Sequence, residues 1–421
     1  MLFCKPQGRC SLSYFKRVME NWKKTFAIIW TGQFFSILSS TVVGYAVIFW
    51  LSIETGSATT LAFAAIATLL PQTLIGIFAG VYVDRWDRKR TMILADSFIA
   101  FCTLILAGLF WLDIAQIGYV YVLLACRSVG SAFHMPAMQA SVPLLAPASE
   151  LTRVAGINQV IQSICNIAGP ALGAMLLGML NMGTILMLDV AGAVIACASL
   201  LFVTIPNPEK AAESGLSLMK DFKDGLRAIY RKKGMAPLFL FSITVMFFLM
   251  QVSVLFPLMT LQHFSGDVFQ MSLVEMLWGA GALAGGAVMG MKNYKINKVL
   301  LINLTYISLG VCFAVSGFLS PRMFVVFCIL TGVSGVIGAV YNSSFIAVVQ
   351  THIDPAVLGR VLSLFFSLSL LPALIGLLGT GFIAENIGMT HTFVIAGTMI
   401  FLVGIAAFFF APMMKLGNLK S

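Results

Sequence analysis

The chain alternates between long apolar runs and short polar breaks. Twelve of the runs are long enough to cross a bilayer as helices, at about 20 apolar residues each. They cover 26–52, 60–83, 92–112, 117–139, 154–180, 184–204, 235–261, 269–291, 299–318, 322–349, 361–384 and 390–412. The breaks are rich in Gly, Pro, Asn and Asp, the residues of turns and caps. One connection is longer, from Ile205 to Gly234. Within it Leu218, Phe222, Ile229 and Tyr230 fall near helical spacing, with Lys220, Lys223, Arg227 and Arg231 between them. That pattern predicts an amphipathic helix, either lying on the inner membrane surface or serving as a solvated linker.

The two halves of the chain echo each other. Leu151-Thr152-Arg153-Val154 after the fourth run matches Leu358-Gly359-Arg360-Val361 after the tenth. Gly80 to Arg90 after the second run has a decayed counterpart in Gly286 to Ile296 after the eighth. The offsets, 207 and 206 residues, are nearly the same, as a duplicated six-helix unit requires. The expectation is an all-α membrane protein with twelve transmembrane helices in two pseudo-symmetric six-helix bundles. Its parts are an N-terminal segment (1–25), a first bundle (26–204), a linker (205–234), a second bundle (235–412) and a short tail (413–421).

Composition supports this. Of the 421 residues 59% are hydrophobic and only 10% charged, where a soluble domain carries about 25% charged residues. That excludes a soluble enzyme, a disordered tail and a disulfide scaffold. The net charge of +10 is explained by topology. With both termini in the cytoplasm, 24 of the 26 Lys and Arg residues fall on the inner side, as the positive-inside rule demands. Arg322 alone faces out, and Arg127 lies within a run. The basic balance therefore implies a cell (inner) membrane location and no nucleic acid. Most of the eight cysteines fall within apolar runs, without a C-x-x-C pair, and read as small buried hydrophobes. No cleavable leader is evident, and Met19 offers an alternative start that would leave 1–18 as an extension.

The densest polar signal is Gly80-Val-Tyr-Val-Asp84-Arg85-Trp-Asp87-Arg88-Lys89-Arg90. Glycine at its start allows close helix approach, and the basic residues can reach lipid headgroups or helix C-terminal carbonyls. Gly80, Asp84, Arg85, Arg88 and Lys89 resemble the signature loop of the major facilitator superfamily, which usually carries glycine where this chain has Asp87. Ala125-Cys-Arg127-Ser-Val-Gly130 resembles that family's fourth-helix motif, whose arginine takes part in proton coupling. Gly156, Gly169, Pro170 and Gly173 resemble its Gly-Pro motif, typical of proton-driven exporters, with Cys165 where a small residue is usual. Ile29-Trp-Thr-Gly32-Gln33, Thr55-Gly56-Ser57-Ala58, Leu188-Asp189-Val-Ala-Gly and Leu358-Gly-Arg360-Val extend the likeness to the macrolide efflux branch, over residues 19–415. The resemblance implies proton-coupled antiport of bulky, weakly basic lipophilic drugs by alternating access. Gly80, Asp84, Arg85, Arg88, Lys89 and Arg360 would gate the inner face. Export of a siderophore or another amphiphile, or lysolipid flipping, remains the alternative within the same fold.

Charges inside apolar runs narrow the chemistry. A charged residue at mid-membrane costs about 3 kcal/mol or more, so Arg127 is expected in a cavity or an ion pair. Asp189 and Glu275 lie about one turn or more inside the outer ends of the sixth and eighth runs, one in each half. A buried carboxylate can take a proton or hold a cation, so both are candidate coupling sites, with helix capping the structural alternative. Asp96 is expected to pair with the Arg88–Arg90 cluster. Glu54, Asp113, Asp267 and Glu385 read as solvated ends of runs. Candidate cavity residues are Gln33, Ser36, Ser40, His134, Asn158, Gln162, Asn166, Gln251, Trp278 and Asn342, with the first, fifth, seventh and tenth runs forming the site. Phe34, Phe35, Phe247, Phe248 and Tyr341 are candidate aromatic walls.

No nucleotide-binding loop, esterase elbow or zinc-protease motif occurs. The four histidines form no metal-ligand set, and neither a metal nor another cofactor is expected. The implied partners are a small amphiphilic substrate, protons and membrane lipids, for a chain acting as a monomer.

Overall fold

A computed structural model of the protein describes residues 22–83, 86–147, 150–205, 218–291 and 296–417. Among these, twelve helices of 20 to 34 residues dominate. The first six are α1 (Trp22–Thr55), α2 (Ala58–Val83), α3 (Arg88–Trp111), α4 (Ile117–Leu145), α5 (Leu151–Met179) and α6 (Met182–Leu201). A shorter α7 (Leu218–Arg231) leads to α8 (Met235–Leu258), α9 (Val268–Met291), α10 (Lys298–Phe318), α11 (Phe324–His352), α12 (Pro355–Ile387) and α13 (Met389–Phe408).

Eleven of the twelve are long and apolar enough to cross a membrane. The exception, α4, has the length at 29 residues, but Arg127, Ser128, Ser131, His134 and Gln139 interrupt its apolar run. Long helices are the expected solution, because hydrocarbon gives a backbone nothing else to bond to. Asparagines start two of them. The Asn181 side chain accepts from Thr184 N at 2.9 Å, and that of Asn297 accepts from Val299 N and Leu300 N. Asp87 does the same for α3, accepting from Arg90 N at 2.8 Å with φ of −66°. That explains a residue other than glycine here: the position caps a helix and needs no positive φ.

The helices pair in two matching sets. In the first half α1 packs on α5 and α6, α2 on α4, and α3 on α4 and α6. In the second half α8 packs on α12 and α13, α9 on α11, and α10 on α11 and α13. The halves meet along α5 with α9 and along α12 with α2. Exchanging the halves turns one seam into the other, so the pairing has pseudo-twofold symmetry. The predicted linker helix α7 packs on α12, with Ile229 buried and Phe222 and Tyr230 exposed.

The bundle has a terminal end, where α1 begins and α13 finishes, and a distal end, where the α1–α2 turn lies. α5 and α9 touch from Gly178 and Phe269 to Asn166 and Gly279. Toward the terminal end they part. A side chain at Gly156, Gly286 or Gly290 would meet no neighbour within 4 Å, and Ile157, Gln159 and Val160 are exposed on several sides of α5.

Helices gain little from hydrophobicity against lipid, so they associate through close backbone approach at small residues. A Cβ on Gly310 would lie 2.4 Å from Phe401 N, across the α10–α13 contact. Gly310→Ala should lower the unfolding midpoint of the purified protein in detergent, at a cost of about 1–3 kcal/mol from overpacking. Gly108→Ala, where nothing lies within 4 Å, should leave it unchanged or slightly raised.

Candidate functional site

α4 carries Arg127 into the middle of the first half. Its Nη2 lies 2.8 Å from Asp189 Oδ2 on α6; Asp189 is buried and Arg127 mostly so. Thr103 of α3 donates to the same oxygen at 2.7 Å, and the Ser40 hydroxyl of α1 donates to Oδ1. One carboxylate thus gathers donors from three other helices. Burying two charges costs several kcal/mol each, offset only when the pair is close and its remaining groups are bonded. The Asp189 carboxylate meets that condition, with both oxygens bonded, while the buried Arg127 Nε has no hydrogen-bond partner among the described residues.

Arg127 also forms part of the wall of a cavity of about 500 Å³. α1, α2, α3 and α4 line it from one half, and α8 and α9 from the other. Most of the wall is apolar, including Val47, Ile48, Leu61, Leu124 and Val254. The polar groups are Ser40, Tyr45, Thr68, Gln72, Ser128, Ser131, Ser253, Arg127 and Glu275. Glu275 comes from α9, and Tyr45 of α1 lines the same cavity from the other half. A largely apolar hollow with a few placed polar groups suits a lipophilic ligand.

A smaller cavity of about 220 Å³ lies within the second half. Trp278, one turn from Glu275 on α9, lines it with Tyr306, Tyr341 and Asn342. The Tyr306 and Tyr341 rings lie 5.5 Å apart, and the Tyr306 and Ser242 hydroxyls are 2.7 Å apart.

The structure sorts the residues expected from sequence. Ser40, Arg127 and Glu275 line the larger cavity, and Trp278 and Asn342 the smaller. Asp189 sits behind Arg127, 2% exposed. Gln33 and Ser36 are buried in α1, and Gln251 is buried in α8 against Gly376. Asn158 accepts from Trp30 Nε1 at 2.5 Å, which ties α5 to α1, while Gln162 is half-buried and Asn166 exposed. None of these α5 residues lines either cavity. The larger site therefore draws on α2, α4 and α9 where the fifth and tenth runs were expected.

His134 lies 3.3 Å from Asp96, both buried. Asp96 thus finds a histidine on α4 instead of the expected arginine cluster, and His134 does not line the larger cavity. In the Gly-Pro motif Gly169, Pro170 and Gly173 are buried. Gly156 is exposed with open space around it, so packing does not require a glycine there.

Of the signature loop, Asp84 and Arg85 lie outside the described residues, as does the side chain of Arg360, and Gly80 falls within α2. Arg88 Nη1 donates to the Ala140 carbonyl at 2.6 Å. Lys89 Nζ donates to the Val203 carbonyl at 2.7 Å, just past the end of α6, where a cation is favoured.

Glu385 is exposed, as expected, and it also joins the halves at the distal end. Its Oε1 accepts from Ser57 Oγ at 2.6 Å and from Thr59 N at 3.1 Å, at the start of α2. Gln262 Nε2, from the π-turn after α8, donates to the Gly56 carbonyl at 2.5 Å. A Cβ on Gly381 would lie 2.6 Å from Thr59 Cα, so α12 and α2 nearly touch. A carboxylate near a run end carries no sequence signal of such a partner. The polar positions Thr68 and Gln72, one turn apart on α2, did carry one.

A hollow between two matched six-helix halves, open to polar and apolar chemistry at once, defines a solute transporter. The sequence matches the family model described as Major Facilitator Superfamily over residues 29–369, and the chain belongs to that superfamily. It is a multi-pass membrane transporter and not an enzyme. It is 35% identical over 387 residues to macrolide efflux protein A of Streptococcus pyogenes, covering 92% of this chain and 96% of the relative. The protein of that name from Enterococcus faecalis is 34% identical over 323 residues, 76% of this chain and all of the relative. The multidrug efflux pump Tap of Mycobacterium tuberculosis is 26% identical over 381 residues, 85% of this chain and 87% of the relative. The fold is shared with the nucleoside transporter NupG (TM-score 0.67, 16% identity, 91% of this chain and 99% of that one). It is shared equally with a D-xylose–proton symporter (TM-score 0.65, 14% identity, 94% and 98%).

The buried pair makes a separable prediction. Asp189→Leu alone strands a charged Arg127 and should cost about 3–5 kcal/mol, whereas Arg127→Met with Asp189→Leu should recover most of it. Folded yield and thermal midpoint in detergent measure both. Equal losses in the single and double variants would show that the pair does not govern packing here.

Proposed function

We propose that this chain exports bulky, lipophilic, weakly basic compounds, macrolide antibiotics foremost, in exchange for protons. It does so by alternating access, as a monomer in the cell membrane with both termini in the cytoplasm. The bundles over 26–204 and 235–412 act as the two moving bodies, and the loop around Gly80–Lys89 with Arg360 serves as the inner gate.

One observation carries this reading. The larger cavity holds Arg127, whose charge Asp189 neutralises at 2.8 Å, and Glu275 from the opposite half. Its net charge with Glu275 ionised is therefore minus one. That favours a cationic amphiphile over an anionic siderophore or phospholipid. A carboxylate in a dry hollow can hold a proton or a cationic head, and each displaces the other. Glu275 is therefore the exchange acid. Asp189, already holding three donors, keeps Arg127 in place and answers to protonation through that pair. The parting of α5 and α9 toward the terminal end supports a path to the cytoplasm, and the Glu385 and Gln262 contacts support closure toward the outside. The names of the macrolide efflux relatives support the cargo class.

Radiolabelled erythromycin uptake into everted vesicles under an imposed pH gradient tests the reading. The parent chain should concentrate the drug, and Glu275→Gln should abolish concentration while leaving the protein folded. Undiminished pumping by Glu275→Gln would remove Glu275 from the mechanism. Transport of an anionic lysolipid in place of erythromycin would favour the lipid reading.

A further inference from the structure

Proline interrupts α2 near its middle, at Pro71. It has no N–H to give, so the Ala67 carbonyl loses the donor that a regular helix would supply. The next rung is shared with another helix. Gln72 N donates to Ser128 Oγ of α4 at 3.0 Å, and the same hydroxyl donates to the Thr68 carbonyl. That carbonyl is the one a regular helix pairs with Gln72 N. Ser128 is thus inserted into the ladder of α2, giving its one proton and accepting another, and it is only 3% exposed. A proline and a side chain inserted into the ladder are both causes of a bend in a helix.

The segments on either side of this rung pack differently. On the distal side Leu61 and Ala64 share one buried cluster with Leu255 and Val274 of the second half, and Thr59 meets Gly381 of α12. On the terminal side Val83 is buried with Phe26, Met92, Ala137 and Leu145 of the first half. The part of the larger cavity's wall that α2 supplies runs from Leu61 to Gln72, and so ends at the rung. Ser128 lines the same wall and follows Arg127 in α4. Consecutive helical residues point about 100° apart. α4 therefore holds α6 through Arg127 and α2 through Ser128.

We propose that Ser128 is a positioning residue that pins a joint in α2 at Pro71. Its hydroxyl holds the interrupted rung and so fixes Thr68, Leu69 and Gln72 in the wall that meets cargo. Under the alternating access proposed above, the joint lets the distal segment of α2 follow the second half while the terminal segment stays with the first. Without the hydroxyl, Gln72 N and the Thr68 carbonyl close on each other or stay unpaired, and either outcome shifts the wall. Where residue 71 has an N–H to donate, the ladder closes regularly and the hydroxyl is not needed. The effect on cargo rests on the export reading; the pin itself does not.

Erythromycin uptake into everted vesicles under one imposed pH gradient reads the wall as KM and the cycle as Vmax. Ser128→Ala should raise KM about fivefold, the worth of one neutral hydrogen bond, with Vmax close to that of the parent. Ser128→Thr keeps the hydroxyl and should hold KM at the parental value. In a Pro71→Ala background, adding Ser128→Ala should leave KM where Pro71→Ala alone puts it. Melting midpoints of the same purified chains in detergent need no cargo. Ser128→Ala should lower the midpoint in the parent and by clearly less in Pro71→Ala. An unchanged KM in Ser128→Ala overturns the proposal, as does a loss of Vmax at constant KM. Equal effects of Ser128→Ala in both backgrounds also overturn it, since a serine that merely packs would give them. If Pro71→Ala fails to fold, the threonine variant decides: a parental KM upholds the pin, and a KM raised as in Ser128→Ala overturns it. If the parent takes up no erythromycin, the export reading falls, and the midpoints alone uphold or overturn the joint.

Discussion

A bilayer core offers no hydrogen bonds, and the rest of this molecule answers to that constraint. Backbone groups are satisfied within long helices. The few polar side chains that remain must find one another inside the bundle. Asp189 shows how far this goes. Its two oxygens collect Arg127, Thr103 and Ser40 from α4, α3 and α1. A rotation of any of these helices would strand a charge or a donor, so one buried pair sets the mutual orientation of most of the first half. Elsewhere small residues do the equivalent work by contact. A Cβ at Gly335 would come within 2.2 Å of the Trp278 carbonyl, and one at Gly397 within 2.3 Å of Ala314 N.

The two seams between the halves are related by symmetry but differ in chemistry. Along α5 and α9 the touching groups are Gly178 with Phe269 and Gly279 with the Asn166 backbone. Along α12 and α2 they are Gly381 with Thr59 and the Glu385 hydrogen bonds to Ser57 and Thr59. A polar contact near the rim trades protein partners for water when it opens, at small net cost. An apolar contact lets helices slide and repack. The cavity lies between these unlike seams, bounded by residues of both halves, so any relative movement changes its shape. Under the alternating access proposed above, that would be the physical basis for coupling occupancy to access.

Charge bookkeeping within the cavity decides what it can hold. Three helices bring together Arg127, Asp189 and Glu275, and the first two cancel. Had Asp189 lain a turn away, the cavity would be neutral or positive overall and suited to a different cargo. The cargo class thus depends on a pairing distance between α4 and α6, a property of packing and not of the individual residues.

Much of this was legible in the order of residues. Twelve apolar runs, the duplication marked by Arg153 and Arg360, and the basic loops between runs define the class of fold, because length and hydropathy are local quantities in a bilayer. Arg127, Asp189 and Glu275 also stood out, since a charge in an apolar run is costly wherever it lies. Which charges meet was not legible. Asp96 turned to His134 on α4 instead of the nearby arginines, the polar face of α5 was spent partly on Trp30, and Glu385 became a cap for a helix in the other half. Helix rotation and the crossing of distant segments fix such partners, and a linear pattern with a repeat of 3.6 residues leaves both free until the helices pack.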